Sequence, residues 1–174
     1  MSSLIPGLLI ITGFLVSSLI MFGTFLTIST TQTESLKDLG KVSRERAGSV
    51  ISISNGIVTS SSPGVSTDVT LSVDNTGSQS VAAFDQMDVI VQYTDSSDNL
   101  VRGFLAYNSS GIGSNQWTQG VPGVSPDILN PGMWDSDETL TIDLRVAPDV
   151  KIGTSAVIVV GTPQGASDQT SVSN

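Results

Sequence analysis

The sequence predicts an α+β protein: a long N-terminal hydrophobic α-helix followed by an antiparallel, immunoglobulin-like β-sandwich. Three observations carry this expectation. The first thirty-three residues hold no charged side chain, and residues 4–28 read LIPGLLIITGFLVSSLIMFGTFLTI. After Gly48 the apolar period falls from three-to-four residues to two. Turn sequences rich in Gly, Pro, Asn and Asp then recur along the second region.

The apolar run of about 25 residues makes a helix of roughly 37 Å, enough to cross a ~30 Å hydrocarbon core with some tilt. Such a segment is a cleaved secretory signal, a membrane anchor, or a helix buried among copies of itself. A signal fits worst: Met1-Ser2-Ser3 carries no Lys or Arg, the apolar run is too long, and no A-x-A site follows. The helix is expected to continue through TESLKDLGKVSRERA, where Leu36, Leu39 and Val42 recur every three residues. Glu34 and Lys37, Asp38 and Lys41, and Lys41 and Glu45 stand at ion-pairing distances along it. Residues 1–47 therefore form a hydrophobic helix with a charged stem, and residues 48–174 a single sandwich domain.

Within 48–174, Ile51 and Ile53 alternate with Val50, Ser52 and Ser54. The same period-two pattern runs through Val69, Leu71 and Val73; Val89, Val91 and Tyr93; Leu140, Ile142, Leu144 and Val146; and Ala156, Ile158 and Val160. Turns are expected at Asn55-Gly56, Ser62-Pro63-Gly64, Asp74 to Gly77, Asp95 to Asn99, Asn130-Pro131-Gly132 and Thr162 to Gly165. Six to eight short strands with no helix between them indicate a sandwich. Residues 108–119 (NSSGIGSNQWTQ) and 120–132 lack periodicity and are expected to be long surface loops, suited to contacts with neighbours.

Composition removes most chemistry. With neither Cys nor His, thiol nucleophiles, Ser-His-Asp triads and ordinary zinc sites are excluded. No P-loop or GxSxG motif occurs, and Gly111-Ile112-Gly113 is an isolated fragment; no enzyme activity and no cofactor are expected. Asp85 with Asp88, Asp95 with Asp98, and Asp135 with Asp137 and Glu138 read as solvated turn acids, with a calcium site as the alternative. Beyond Ala47 only Arg102, Arg145 and Lys151 face thirteen acids, which argues against nucleic acid as a partner. Trp117 and Trp134 read as core or loop anchors, with a carbohydrate platform as the alternative. Asn108-Ser109-Ser110 is the one N-x-S/T sequon, making Asn108 a candidate glycosylation site.

Helix, stem and sandwich in this order, with the loose motifs 73–77 (VDNTG), 84–93 (FDQMDVIVQY), Asn130-Pro131-Gly132 ahead of Leu140-Thr141-Ile142, and 162–166 (TPQGA), resemble the archaellins. These are archaeal flagellar filament subunits of the type IV pilin superfamily, which share their plan with accessory archaellum proteins. The family's short basic leader is not seen ahead of the helix, so the resemblance implies processing at Met1 or a departure from the pattern. Ile5 stands where bacterial pilins place a glutamate, which favours the archaeal-type branch.

The resemblance implies a structural subunit that waits in the membrane and then polymerises into an extracellular helical filament of identical copies, for motility or adhesion. Leu8, Ile11, Gly13, Leu15, Ser17, Leu19, Phe22, Gly23 and Leu26 are the candidates for packing in the filament core. The i+4 pairs Gly13/Ser17 and Gly23/Thr27 allow close backbone approach. No small-molecule substrate is expected. The alternatives are a membrane-anchored extracytoplasmic binding module using Trp117 and Trp134, and an accessory protein that anchors the motor to the envelope.

Overall fold

The computed structural model describes residues 4–174, with side chains from Gly7 onward; Met1-Ser2-Ser3 and the side chain of Ile5 lie outside it. Helix α1 spans Leu4–Gly48 without interruption, so the apolar run and the charged stem are one element. Arg46 in its last turn complements the negative end of the helix dipole. The chain divides into two compact units, one running to Arg44 and the other covering Glu45–Asn174.

The second unit contains eight strands: β1 (Ile51–Ser62), β2 (Ser66–Asn75), β3 (Asp88–Thr94), β4 (Leu100–Tyr107), β5 (Gln116–Ser125), β6 (Thr139–Val146), β7 (Ser155–Gly161) and β8 (Ser167–Ser173). Their order is β1-β2-β6-β5-β4-β3-β7-β8. One leaf is β1-β2-β6-β5 and the other β4-β3-β7-β8, an immunoglobulin-like arrangement of strands. All pairings are antiparallel except the join between the leaves, where β4 and β5 run parallel through Ala106 opposite Gln116 and Tyr107 opposite Trp117. At the other margin the Ile53 amide donates to Asp168 Oδ2 at 2.7 Å, bringing β1 to β8.

The alternating residues of β2, β3, β6 and β7 all point inward, as their period requires, and form one core. Trp117 and Trp134 are completely buried within it. Trp117 packs on Tyr107 with ring centroids 4.7 Å apart, and Trp134 Nε1 donates to the Glu138 carbonyl at 2.9 Å. Neither indole has a face left for stacking a sugar.

Two expectations about the strands need correction. Residues 108–132 are not two long loops: β5 runs through them, pairing with β6 on both sides of a bulge at residues 120–123. Asn55-Gly56 is not a turn but lies inside β1, opposite Ser72 and Leu71. The glycine is needed for packing there, since a Cβ would stand 2.8 Å from Val172 Cγ2 and 3.0 Å from Leu71 Cδ2. The expected turns at Gly64, Gly132 and Gly165 do form, each glycine having φ between 77° and 88°.

A candidate assembly helix

Helix α1 is apolar on every side between Leu8 and Ile28. Leu19 is 79% exposed, Phe14 74% and Leu8 72%, and none of the large apolar residues in this stretch is covered by the chain itself. At about 100° per residue, Leu8, Ile11, Leu15, Leu19, Phe22 and Leu26 fall on one stripe. Gly13 and Ser17 lie on the opposite side and Gly23 at the margin, so the nine candidate positions occupy two faces rather than one.

The other sides carry Leu9, Ile10, Ile20, Met21 and Phe25, all exposed. A helix apolar all round is stable in water only when surrounded, by protein or by lipid. It is also long and apolar enough to cross a membrane.

Seven hydroxyls on this helix bond back to carbonyls of its own backbone. Thr12 Oγ1 donates to the Leu8 carbonyl at 2.6 Å, Thr27 to Gly23 at 3.0 Å, Thr31 to Thr27 at 2.9 Å and Thr33 to Ser29 at 2.8 Å. Thr24, Thr30 and Ser35 bond back to the preceding turn in the same way. Each such bond satisfies a hydroxyl within its own helix, so the threonines enter an apolar surrounding at little cost.

A Cβ added at Gly7, Gly13, Gly23 or Gly40 would meet nothing within 4 Å. No contact among the described residues explains these glycines, although each costs the helix about 1 kcal/mol relative to alanine. Phe14, Ser17, Ser18, Met21, Phe22 and Phe25 surround a shallow hollow on the helix surface. Of these only Ser17 and Phe22 were among the expected positions. The large-small-large order of residues 14, 17–18 and 21–22 was the available signal.

Of the acids expected to be solvated at turns, Asp85, Asp88, Asp98 and Asp137 are exposed, but Asp95, Asp135 and Glu138 are buried because backbone amides and side chains bond their carboxylates. Asp95 accepts from the amides of Ser97 and Asn99 and from Asn99 Nδ2, and the Asn99 bonds hold its carboxyl below the ordinary aspartate range. Asp135 is held low as well, first by the Ser80 hydroxyl and then by Asn130, against the opposing effect of burial. Asn108 sits at the start of the β4–β5 connection, where its Nδ2 donates to Gln116 Oε1 at 2.9 Å.

The family model of the archaeal-type flagellin matches residues 5–172, almost the whole chain. The chain belongs to the archaeal-type flagellin family. No curated protein matches this flagellin. Among solved structures it is similar to the archaeal flagellum of Methanospirillum hungatei strain JF1, at 11% identity and a TM-score of 0.67, over 97% of this chain and 92% of that one. That likeness confirms the fold, helix and sandwich together. Weaker likenesses are to the archaellum periplasmic stator protein complex FlaF and FlaG (14% identity, TM-score 0.44, covering 69% of this chain and 90% of that one) and to FlaG alone (14%, 0.42, 67% and 97%), both from Sulfolobus acidocaldarius. The flagellin is a structural subunit of a filament.

Proposed function

We propose that this flagellin polymerises through α1 into an extracellular helical filament of identical subunits, after an interval in which the same helix spans the membrane. The observation that carries the reading is the apolar surface of α1, complete around its circumference and interrupted by glycines that nothing among the described residues requires. Transfer from lipid to a protein core gains little hydrophobic energy, so close packing between helices must favour the polymer.

Leu8, Ile11, Leu15, Leu19, Phe22 and Leu26 offer one packing stripe in this reading, while Gly13, Ser17 and Gly23 admit neighbouring backbones. The acidic sandwich coats the outside and keeps filaments apart by charge. Motility or adhesion is the use. Asn108 Nδ2 spends one of its two hydrogens on Gln116, which leaves the other for glycosylation.

Amide exchange on purified, detergent-free filaments tests this. Residues 8–42 should exchange slowly, because neighbours bury both the apolar run and the stem. Fast exchange of the stem around Leu36, Leu39 and Val42 would overturn the polymer-core reading and favour a monomeric anchor.

A further inference from the structure

The connection between β5 and β6 is firmly built, yet it presents bare apolar side chains. Asp127 accepts the Gly132 amide at 3.0 Å, Asp135 Oδ2 accepts the Asn130 amide and Nδ2 at 3.1 and 2.9 Å, and Glu138 accepts the amides of Ile128 and Asp135 at 3.3 and 2.8 Å. Asp135 and Glu138 are buried, and the completely buried Trp134 anchors the base. Two buried carboxylates thus fix a loop whose tip leaves Ile128 72% and Leu129 73% exposed. An ordered apolar tip of this kind on an acidic domain calls for a cover.

The same domain carries an apolar seat elsewhere. Val89 and Val91 point into the core, so Ile90 faces outward, opposite Phe104 of β4 and Val159 of β7. Phe104 is exposed, and a hollow continues from Ile90 and Val159 to Gly161 and Ala166. Arg102 lies on this face. Among the described residues Arg145 pairs with Asp68 and Lys151 with Asp98, whereas Arg102 Nε donates to the neutral Gln92 Oε1 at 2.8 Å. The tip carries the complementary charge in Asp127, next to Ile128.

Building on the homopolymer reading, we propose that Ile128 and Leu129 seat on the Ile90–Phe104–Val159 face of a neighbouring copy of this chain, with Asp127 facing Arg102. Tip and seat are different patches of the chain, so between copies related by one helical step the contact repeats head-to-tail along the filament. A handful of side chains buries far less than the ~1,200 Å² of a stable independent interface. The contact therefore operates once α1 holds the copies side by side at high effective concentration.

The natural absence of cysteine permits a direct test. Full-length chain carrying both Phe104→Cys and Leu129→Cys, assembled and mildly oxidised, should give a ladder of covalent dimers, trimers and longer species on a non-reducing denaturing gel. Each single variant should stay monomeric, as should Leu129→Cys paired with Ser60→Cys on β1. Intact double-variant filaments without a ladder would overturn the contact, as would dimers from either single variant or an equal ladder from the Ser60 pair. If the double variant does not assemble, Phe104→Ser gives the second reading: the concentration needed for assembly should rise about tenfold, and unchanged assembly refutes the seat. Extracellular filaments that lack the unmodified chain would strike the homopolymer reading itself, before any variant is made.

Discussion

Gly77 donates its backbone N–H to the Val50 carbonyl at 2.9 Å, at a spot where no side chain has room. A Cβ on Gly77 would stand 2.4 Å from the Gly48 carbonyl oxygen and 2.5 Å from the Val50 nitrogen. The next residue, Ser78, donates its amide to the Gly48 carbonyl at 2.7 Å. The segment just past β2 therefore grips residues 48–50, where helix gives way to β1.

Gly77→Ala should consequently lower the stability of the sandwich by about 1–3 kcal/mol, the usual cost of overpacking, because the atoms in the way are backbone and cannot rotate aside. Thermal unfolding followed by circular dichroism measures it. An unchanged melting temperature would show that residues 48–50 are free to shift.

Leu15→Asp and Leu19→Lys should abolish filaments while leaving the β-sandwich folded. Each places a charge in the middle of an apolar segment, at ~2.5–3.5 kcal/mol on membrane-insertion scales, and every subunit in the polymer repeats the penalty. Electron microscopy of material sheared from cells reads the outcome, and normal filaments from either variant would count against a buried helix.

Alkaline pH should weaken the sandwich through Tyr93. Its hydroxyl donates to the Pro148 carbonyl at 2.8 Å, and burial first, then Asp95 and Asp149, pushes its pKa up to about 12. The folded state thus keeps a proton that the unfolded chain releases near pH 10. The associated stability is complete below pH 10 and is lost as pH rises toward 12, by at most about 2–3 kcal/mol. Denaturant midpoints across that range should fall for the natural chain and fall less for Tyr93→Phe, which starts about 1 kcal/mol lower for want of the hydrogen bond. Parallel slopes would rule Tyr93 out as the group responsible.

A chain beginning at Glu45 should be soluble, β-rich and monomeric, since every strand pairing and the whole core lie within Glu45–Asn174. Sedimentation and circular dichroism decide. Fibres formed by this shortened chain would place the polymerising contacts in the sandwich rather than in α1.

Five strands were legible because a run of each turns alternate residues to the core. The alternation is unbroken in β2 and β6, while β3 and β7 also carry aliphatics outward and β1 is fully buried only at Ile51. The remaining strands escaped for separate physical reasons. β4 sets Leu100 and Phe104 outward, so its exposed face is as apolar as its covered one. Only Val172 of β8 is fully buried, and the strand reads as a polar tail. β5 holds glycine and proline in its bulge, and its strand character comes from the pairing that β6 imposes. The Asn55-Gly56 pair carried a turn signal whose actual cause, contact with Val172 and Leu71, lies far away along the chain.

In the assembly helix the sequence by itself determined the apolar length, the absence of charge before Glu34 and the continuity into the stem, because helical periodicity and hydropathy are local properties. It also determined that a set of alternating aliphatics would have to be buried somewhere, while leaving the two indoles open between core, loop anchor and sugar platform. Only the tertiary structure decided that the β5–β6 tip stands rigid and bare, that Ile90, Phe104 and Val159 form one outward row, and that β4 and β5 join the leaves in parallel. Those features arise from pairing between strands distant in sequence, and a single chain's local pattern carries no register.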